Sequence, residues 1–425
     1  MPGNNCRKNG KRLGLGLVLL LLPGFNLPAA DLPTIAKPET VGLSSVRLER
    51  FAQAIKQEID HGRMPGAVIA IARKGKLAYY ESFGFVDQVS RTPMPKDAIF
   101  ALASMTKPMV TVATLMLAEQ GDLLLNDPVG NYLPELKDMK VAGSRGIEPA
   151  RRQPTLQDML RHTAGVSYGN RGDTPLHKLY ERELKSAGTQ SGTEFLQALG
   201  KLPLHYQPGT EWEYSHGLDV AGLAVEAVSK QRLGDFLQER LFGPLGMVDT
   251  GFVVPAAKAA RIARPLPVDP DTGRPATFRL PVTPWKYDCG GGCTSGTALD
   301  YLHFAQMLLN KGTFEGTRLL SRKTVEYMTA NQLGAGVDVS RLHEFAVEHM
   351  DGFGFGLGVA VRTQAGVAGV PGTPGEFFWD GAQGTMFWVD PKEEMVVVFM
   401  ANTPGPARRH YRELVKTLVV QAIAD

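Results

Sequence analysis

Ser104-Met105-Thr106-Lys107 sets a hydroxyl and an amine three residues apart, within the stretch FALASMTKPMVTVATLMLAEQG from Phe100 to Gly121. Apolar residues then recur at helical intervals (Met109, Val110, Val112, Leu115, Met116, Leu117), and Gly121 stands where a C′ glycine ends a helix. Ser104 and Lys107 are therefore expected in the first turn of a buried helix, where positions i and i+3 share a face. The chemistry would be covalent. A serine hydroxyl attacks only with a base in hydrogen-bond reach, and a lysine serves when burial depresses its basicity. Free N–H groups at a helix start can stabilise an oxyanion. Pro108 fits, because a missing donor is tolerated only where the hydrogen-bond ladder has barely begun. Alone, an S-x-x-K tetrapeptide arises by chance and a first-turn lysine is ordinarily solvated, so the reading depends on its surroundings.

A second serine competes. Gly165-Val-Ser167-Tyr-Gly169 satisfies G-x-S-x-G, which in an α/β-hydrolase with a Ser-His-Asp triad works through a strand, a sharp turn and a helix. Here it follows a helical stretch, Leu156 to Arg161, and leads into the loop Asn170-Arg-Gly-Asp-Thr-Pro, so Ser167 reads as a decoy. Cys289 and Cys293, spaced C-G-G-G-C, could close a small disulfide ring in an oxidising compartment. A metal is the weaker reading of that pair, with no second Cys or His pair at zinc spacing nearby.

These residues need a large scaffold, and 425 residues with 43% hydrophobic content can supply one big domain or two lobes. The N-terminus is different in kind: Arg7, Lys8, Lys11 and Arg12, the apolar run Leu13 to Leu22, then Pro23-Gly24 and Ala29-Ala30. That order reads as a secretory signal peptide over residues 1–30, with an apolar run too short to span a bilayer. The mature chain 31–425 is then expected in the periplasm or secreted, with no stable membrane span. Removing those residues deletes four basic and no acidic side chains, taking the formal charge from +3 to −1. No basic surplus remains for nucleic acid or anionic lipid.

Ser45 to Ile59 has apolar residues at helical spacing behind Ser44 or Ser45 as N-cap, and Gly66 to Ala72 and Leu77 to Phe85 read as strands joined at Arg73-Lys74-Gly75-Lys76. After the serine helix the middle is helical (Leu156 to Arg161, Thr193 to Leu199, Leu218 to Val228), with long Pro-, Gly- and Arg-rich loops at 138–153 and 263–286. Phe355 to Arg362, Glu376 to Trp379, Thr385 to Val389 and Met395 to Met400 read as strands, and Arg408 to Ala424 as a closing helix. The expected class is α+β: one antiparallel sheet from both ends of the chain, flanked by the terminal helices. An all-α lobe, roughly residues 120–285, is inserted, with the active-site cleft between.

In that layout the chain resembles the penicillin-recognising serine hydrolases of class C β-lactamase type, particularly the family VIII carboxylesterases, over nearly all of residues 40–422. The resemblance is carried by Ser104-Met-Thr-Lys107; Leu160-Arg-His162-Thr-Ala-Gly165-Val; Gln207-Pro-Gly209 leading to Tyr214-Ser-His216; Pro244-Leu-Gly-Met247-Val-Asp-Thr250-Gly-Phe; Gly290-Gly-Gly292 with Asp300-Tyr301; and Trp379-Asp-Gly381 with Phe387-Trp-Val-Asp390-Pro391. It implies a β-lactamase/transpeptidase-like fold with Ser104 as nucleophile, and Lys107 and the Tyr214 phenol sharing its proton. It further implies an oxyanion hole from the Ser104 and Ala382 N–H groups, and an acyl-enzyme resolved by water. His162 then falls in a structural helix, and His216 stands where β-lactamases carry a substrate-binding Asn. Trp379, Asp380 and Gly381 fill the Lys-Thr-Gly strand. An indole there replaces an ammonium and a carboxylate replaces a hydroxyl, which would repel a substrate carboxylate and suit a neutral ester. No cofactor or metal is implied. The expected partner is a small ester or amide, with the oligomeric state left open. A short-chain carboxylesterase leads, against a β-lactamase or D-Ala-D-Ala carboxypeptidase, and against a binding or sensor protein that is acylated without turnover.

Overall fold

Side chains alternating across a two-residue period build the centre of the fold. The computed structural model describes residues 35–276, 278–339 and 350–425, with Met1 and Gly3; the expected signal peptide lies outside the described residues apart from those two. Eight strands form one sheet: β1 (Gly66–Arg73), β2 (Lys76–Asp87), β3 (Thr92–Pro93), β4 (Phe353–Phe355), β5 (Ala360–Arg362), β6 (Phe377–Asp380), β7 (Met386–Asp390) and β8 (Met395–Ala401). Their order is β4-β5-β6-β7-β8-β1-β2-β3, antiparallel at every step, so the two ends of the chain meet where β8 pairs with β1.

Both central strands are buried at every position, which is why they read as unbroken apolar runs. Val68, Ala70, Val396, Val398 and Met400 face one core, shared with the serine helix. Ile69, Ile71, Val397 and Phe399 face the other, shared with Phe51 and Ile55 of α1 (Ser45–Asp60) and with Tyr411 and Val415 of the C-terminal helix. Ser44 caps α1 by accepting from Arg47 N–H. The β1–β2 turn uses left-handed backbone at Lys74 (φ 51°) and Gly75 (φ 71°), as a two-residue hairpin requires.

The helix after Ser104, α2 (Thr106–Gln120), is buried from Thr106 to Leu117, as expected of a helix apolar on all sides. Gly121 (φ 79°) ends it by donating to the Leu117 and Ala118 carbonyls. Around the first core lie α3 (Leu156–Leu160), α4 (Pro175–Glu183), α5 (Gly192–Leu199), α6 (Gly217–Ser229) and α7 (Ala298–Leu309), with α6 against α2 and α7 against β8 and β1. The C-terminal helix is α8 (Ala407–Val420). Among the described residues no helix is long and apolar enough to cross a membrane.

The structure differs from the sequence reading at several elements: the inserted lobe is not all-α, His162 lies past the end of α3 at φ 60° rather than in a helix, and α7 has no counterpart in that reading. The run Phe355 to Arg362 is not one strand: Gly356 and Gly358 turn the chain, and β4 and β5 pair as hairpin arms. The expected loop 138–153 contains the hairpin Lys140–Gly143 with Gly146–Pro149, whose mostly exposed residues leave no apolar alternation to find. The sequence reading places a loop at Asn170 to Pro175 and names no helix after it, yet α4 begins at Pro175 with Thr174 as its cap, a legible start signal.

Candidate active site

Ser104 sits in a single 3-10 turn, Ala103–Met105, that feeds α2, so it lies just before the helix rather than inside its first turn. Ala103 is held at φ 47°, a left-handed conformation that costs a non-glycine residue about 1–3 kcal/mol. Neighbours hold the turn in place. Leu102 N–H donates to Thr294 O at 2.9 Å, and Thr106 Oγ1 donates to Ala103 O at 2.7 Å while lying 2.6 Å from Thr294 Oγ1.

Lys107 is fully buried, and its Nζ donates to Ser104 Oγ at 3.2 Å and to the Gly291 carbonyl. Gly291 is the middle of a loop closed by the Cys289–Cys293 disulfide, with Cα atoms 5.4 Å apart. Its own N–H donates to Asp219 Oδ1 at 2.9 Å, and Asp219 Oδ2 lies 2.7 Å from His216 Nδ1. A Cβ at position 291 would come within 2.6 Å of that carboxylate, so only glycine lets the loop lie this close. One carboxylate on α6 thus fixes both a histidine and the carbonyl that holds Lys107.

Tyr214 is buried with its ring centroid 4.6 Å from Lys107 Nζ and 4.7 Å from the Arg171 guanidinium carbon. Its phenol oxygen has no hydrogen-bond partner among the described residues. Tyr168, His162 and Trp379 surround the ring at 5.4, 4.7 and 5.4 Å. The lysine therefore lies over the face of the phenol ring. His162 is wholly buried, and its Nδ1 accepts from Ser215 N–H at 3.3 Å. Burial, and secondarily the charges of Lys107 and Arg171, hold it well below the usual imidazole range. That neutral ring packs the site. Ser167 is also fully buried; its Oγ accepts from Gly169 N–H at 3.0 Å and the hydroxyl bonds the Glu213 carboxylate.

The strand that ends at Gly381 corrects one expectation. The pleat puts Trp379 and Asp380 on opposite faces of β6, and Asp380 pairs with Arg412 of α8 at 3.0 Å. Burial raises its pKa, with Arg412 opposing, so it is an internally compensated group and not a carboxylate aimed at substrate. Trp379 does face the site side, but it is 1% exposed and packs on Tyr214 and, at 5.2 Å, Phe355, so it shapes the phenol's pocket rather than forming an open wall. A Cβ at Gly381 would come within 2.4 Å of Leu102 O, which brings Gly381-Ala382 beside the serine turn. Among the described residues, neither the Ser104 nor the Ala382 N–H is taken by a turn or loop carbonyl. His216, half-buried against Tyr168 at 4.3 Å, has Nδ1 committed to Asp219, which leaves Nε2 as the ring nitrogen able to meet a substrate. Tyr168, Arg171, Asp219 and the Gly291 carbonyl were not singled out from sequence. The Gly290-Gly291-Gly292 run was the nearest signal.

An antiparallel sheet with the Ser-Lys turn and a buried tyrosine on its helical side defines the β-lactamase/transpeptidase-like class. Residues 51–421 match the family model Beta-lactamase, and the chain belongs to that family. It is 30% identical over 400 residues to Esterase EstB of Burkholderia gladioli, covering 89% of this chain and 95% of the relative. It is 27% identical over 425 residues to a putative D-alanyl-D-alanine carboxypeptidase of Salmonella agona, covering 91% of each. Among solved structures it is similar to EstCE1, a hydrolase with promiscuous acyltransferase activity, with TM-score 0.73, 27% identity, and coverage of 88% of this chain and 98% of that one.

Proposed function

We propose that this chain is a serine hydrolase acting through a covalent acyl-enzyme, and that its substrates are short-chain or otherwise small esters. The observation that carries the reading is Lys107 Nζ at 3.2 Å from Ser104 Oγ, with the amine buried and the serine partly exposed. Ser104 Oγ attacks the ester carbonyl while its proton passes to Lys107 and the Tyr214 phenol, which return it to the departing alkoxide. The Ser104 and Ala382 N–H groups receive the oxyanion. Water then attacks the acyl-enzyme, with the same pair taking the proton. His216 is the substrate-contact candidate at the rim.

The preference for esters over β-lactams rests on Trp379, which puts an indole where the carboxylate-binding relatives place an ammonium, and on the likeness to EstB and EstCE1. Asp380 no longer supports it, since Arg412 neutralises that group. The Cys289–Cys293 disulfide supports export to an oxidising compartment. Purified mature protein assayed on p-nitrophenyl butyrate and on a chromogenic cephalosporin tests the assignment. The ester is expected to give the larger kcat/KM; the reverse order assigns a β-lactamase, and stoichiometric labelling without turnover assigns an acylated sensor.

A further inference from the structure

Behind the catalytic tyrosine lies a second cluster that the proposed reaction does not use. We propose that His177, His205 and Glu213 form a binding site for one divalent transition-metal ion of the zinc class. One ligand atom from each residue lies within 4.8 Å of the others. His177 Nε2 is 3.4 Å from Glu213 Oε1, and His205 Nδ1 is 3.8 Å from Glu213 Oε2. Tetrahedral zinc with bonds of about 2.0–2.2 Å sets its ligand atoms roughly 3.3–3.6 Å apart, so small side-chain shifts close the set. Two imidazoles and one carboxylate are a ligand combination zinc uses, with a fourth position left for water.

The three residues come from separate segments. His177 lies in the first turn of α4, where Thr174 Oγ1 contacts its Nδ1 at 2.7 Å and leaves Nε2 for the cluster. His205 is fixed through its backbone N–H on Gly165 O at 2.7 Å, and its ring meets that of His177 at 4.3 Å. Glu213 takes a hydrogen bond from Ser167. These outer contacts resemble those that orient metal-bound histidines and carboxylates.

The groups approach without satisfying one another. Glu213 Oε1 and His205 Nε2 are buried with no hydrogen-bond partner among the described residues, and the His205 side chain is only 8% exposed. Neutral imidazoles with free lone pairs are the form that binds metal, and a divalent ion supplies the charge that restores a buried carboxylate. Glu213 immediately precedes Tyr214 and Ser167 immediately precedes Tyr168, so an ion here would brace both segments that carry the tyrosines around Lys107.

Tag-free mature protein, stripped with a chelator, is titrated with Zn²⁺ by calorimetry and with Co²⁺ by visible absorption. The expected result is one ion per chain, a tetrahedral Co²⁺ spectrum, and a Zn²⁺-dependent rise in the unfolding midpoint. Binding should weaken at least ~10-fold in His205→Gln and in Glu213→Gln, two near-isosteric variants chosen to keep the fold. No saturable binding to the wild type overturns the proposal. So does unchanged affinity in both variants, which would place the ion elsewhere. Ion binding is read directly, so the outcome is independent of which substrate the enzyme prefers.

Discussion

Lys107 donates to the backbone carbonyl of Gly291, and that carbonyl is presented by a five-residue ring closed through Cys289 and Cys293. The amine that faces Ser104 is thus held by a main-chain atom whose position depends on a covalent clasp and on Asp219.

Opening the clasp should therefore act on chemistry more than on binding. Cys289→Ser with Cys293→Ser, or reduction of the wild type, is expected to lower kcat about 10- to 100-fold with little change in KM, the scale reported for small misplacements of reacting groups. Steady-state kinetics on p-nitrophenyl butyrate check this, and an unchanged kcat in the reduced protein would show that the ring does not position Lys107.

Tyr214→Phe keeps every ring contact and removes one oxygen. As that oxygen has no partner among the described residues, the variant should fold normally, while kcat falls about 10²- to 10⁴-fold as for loss of a proton-transfer group. Wild-type kcat in this variant would leave Lys107 as the sole base.

Acid stability should depend on Asp158. Its side chain is wholly buried and takes hydrogen bonds from Arg152, Arg161 at 2.9 Å, Thr155 N–H at 2.9 Å and Thr163 Oγ1 at 3.1 Å. Burial is the largest influence and raises its pKa, but those donors and the Arg152 charge outweigh it, so the folded value lies below the ordinary 3.8. A depressed acid contributes stability above that ordinary value and loses it as pH falls through the folded one. Asp158→Asn should cost about 1.5–3 kcal/mol at neutral pH, because charge-assisted hydrogen bonds are lost while the two arginines stay partly solvated, and should flatten the decline below pH 3.8. Urea midpoints measured from pH 2.5 to 7 decide it: parallel curves for variant and wild type would mean that Asp158 is not the titrating group.

Local geometry was the most legible part of the site. Ser104 and Lys107 meet because three residues of helical backbone bring them together, and the central strands declare themselves because burial on both faces leaves apolar runs. What the sequence hid depends on distant backbone or on register. The Gly291 carbonyl has no side-chain signature, and Arg171 reaches Tyr214 across a loop. Asp380 turns on the pleat, where a shift of one residue moves a side chain to the other face, and only the pairing Asp380↔Met386 settles which. Trp379→Lys would accordingly bury an ammonium against Tyr214, and Asp380→Thr would remove the carboxylate partner of Arg412 while leaving its bond to the Gly381 carbonyl.

The nucleophile can be identified without knowing the natural substrate. Protein lacking residues 1–30 is treated with a p-nitrophenyl alkylphosphonate, which transfers its phosphonyl group to an activated serine and stops, and the modified peptide is located by mass spectrometry. One adduct per chain on Ser104, absent in Ser104→Ala and retained in Ser167→Ala, with ester turnover lost at least ~10³-fold in the first variant alone, is the predicted result. An adduct on Ser167, or full turnover by Ser104→Ala, would contradict it.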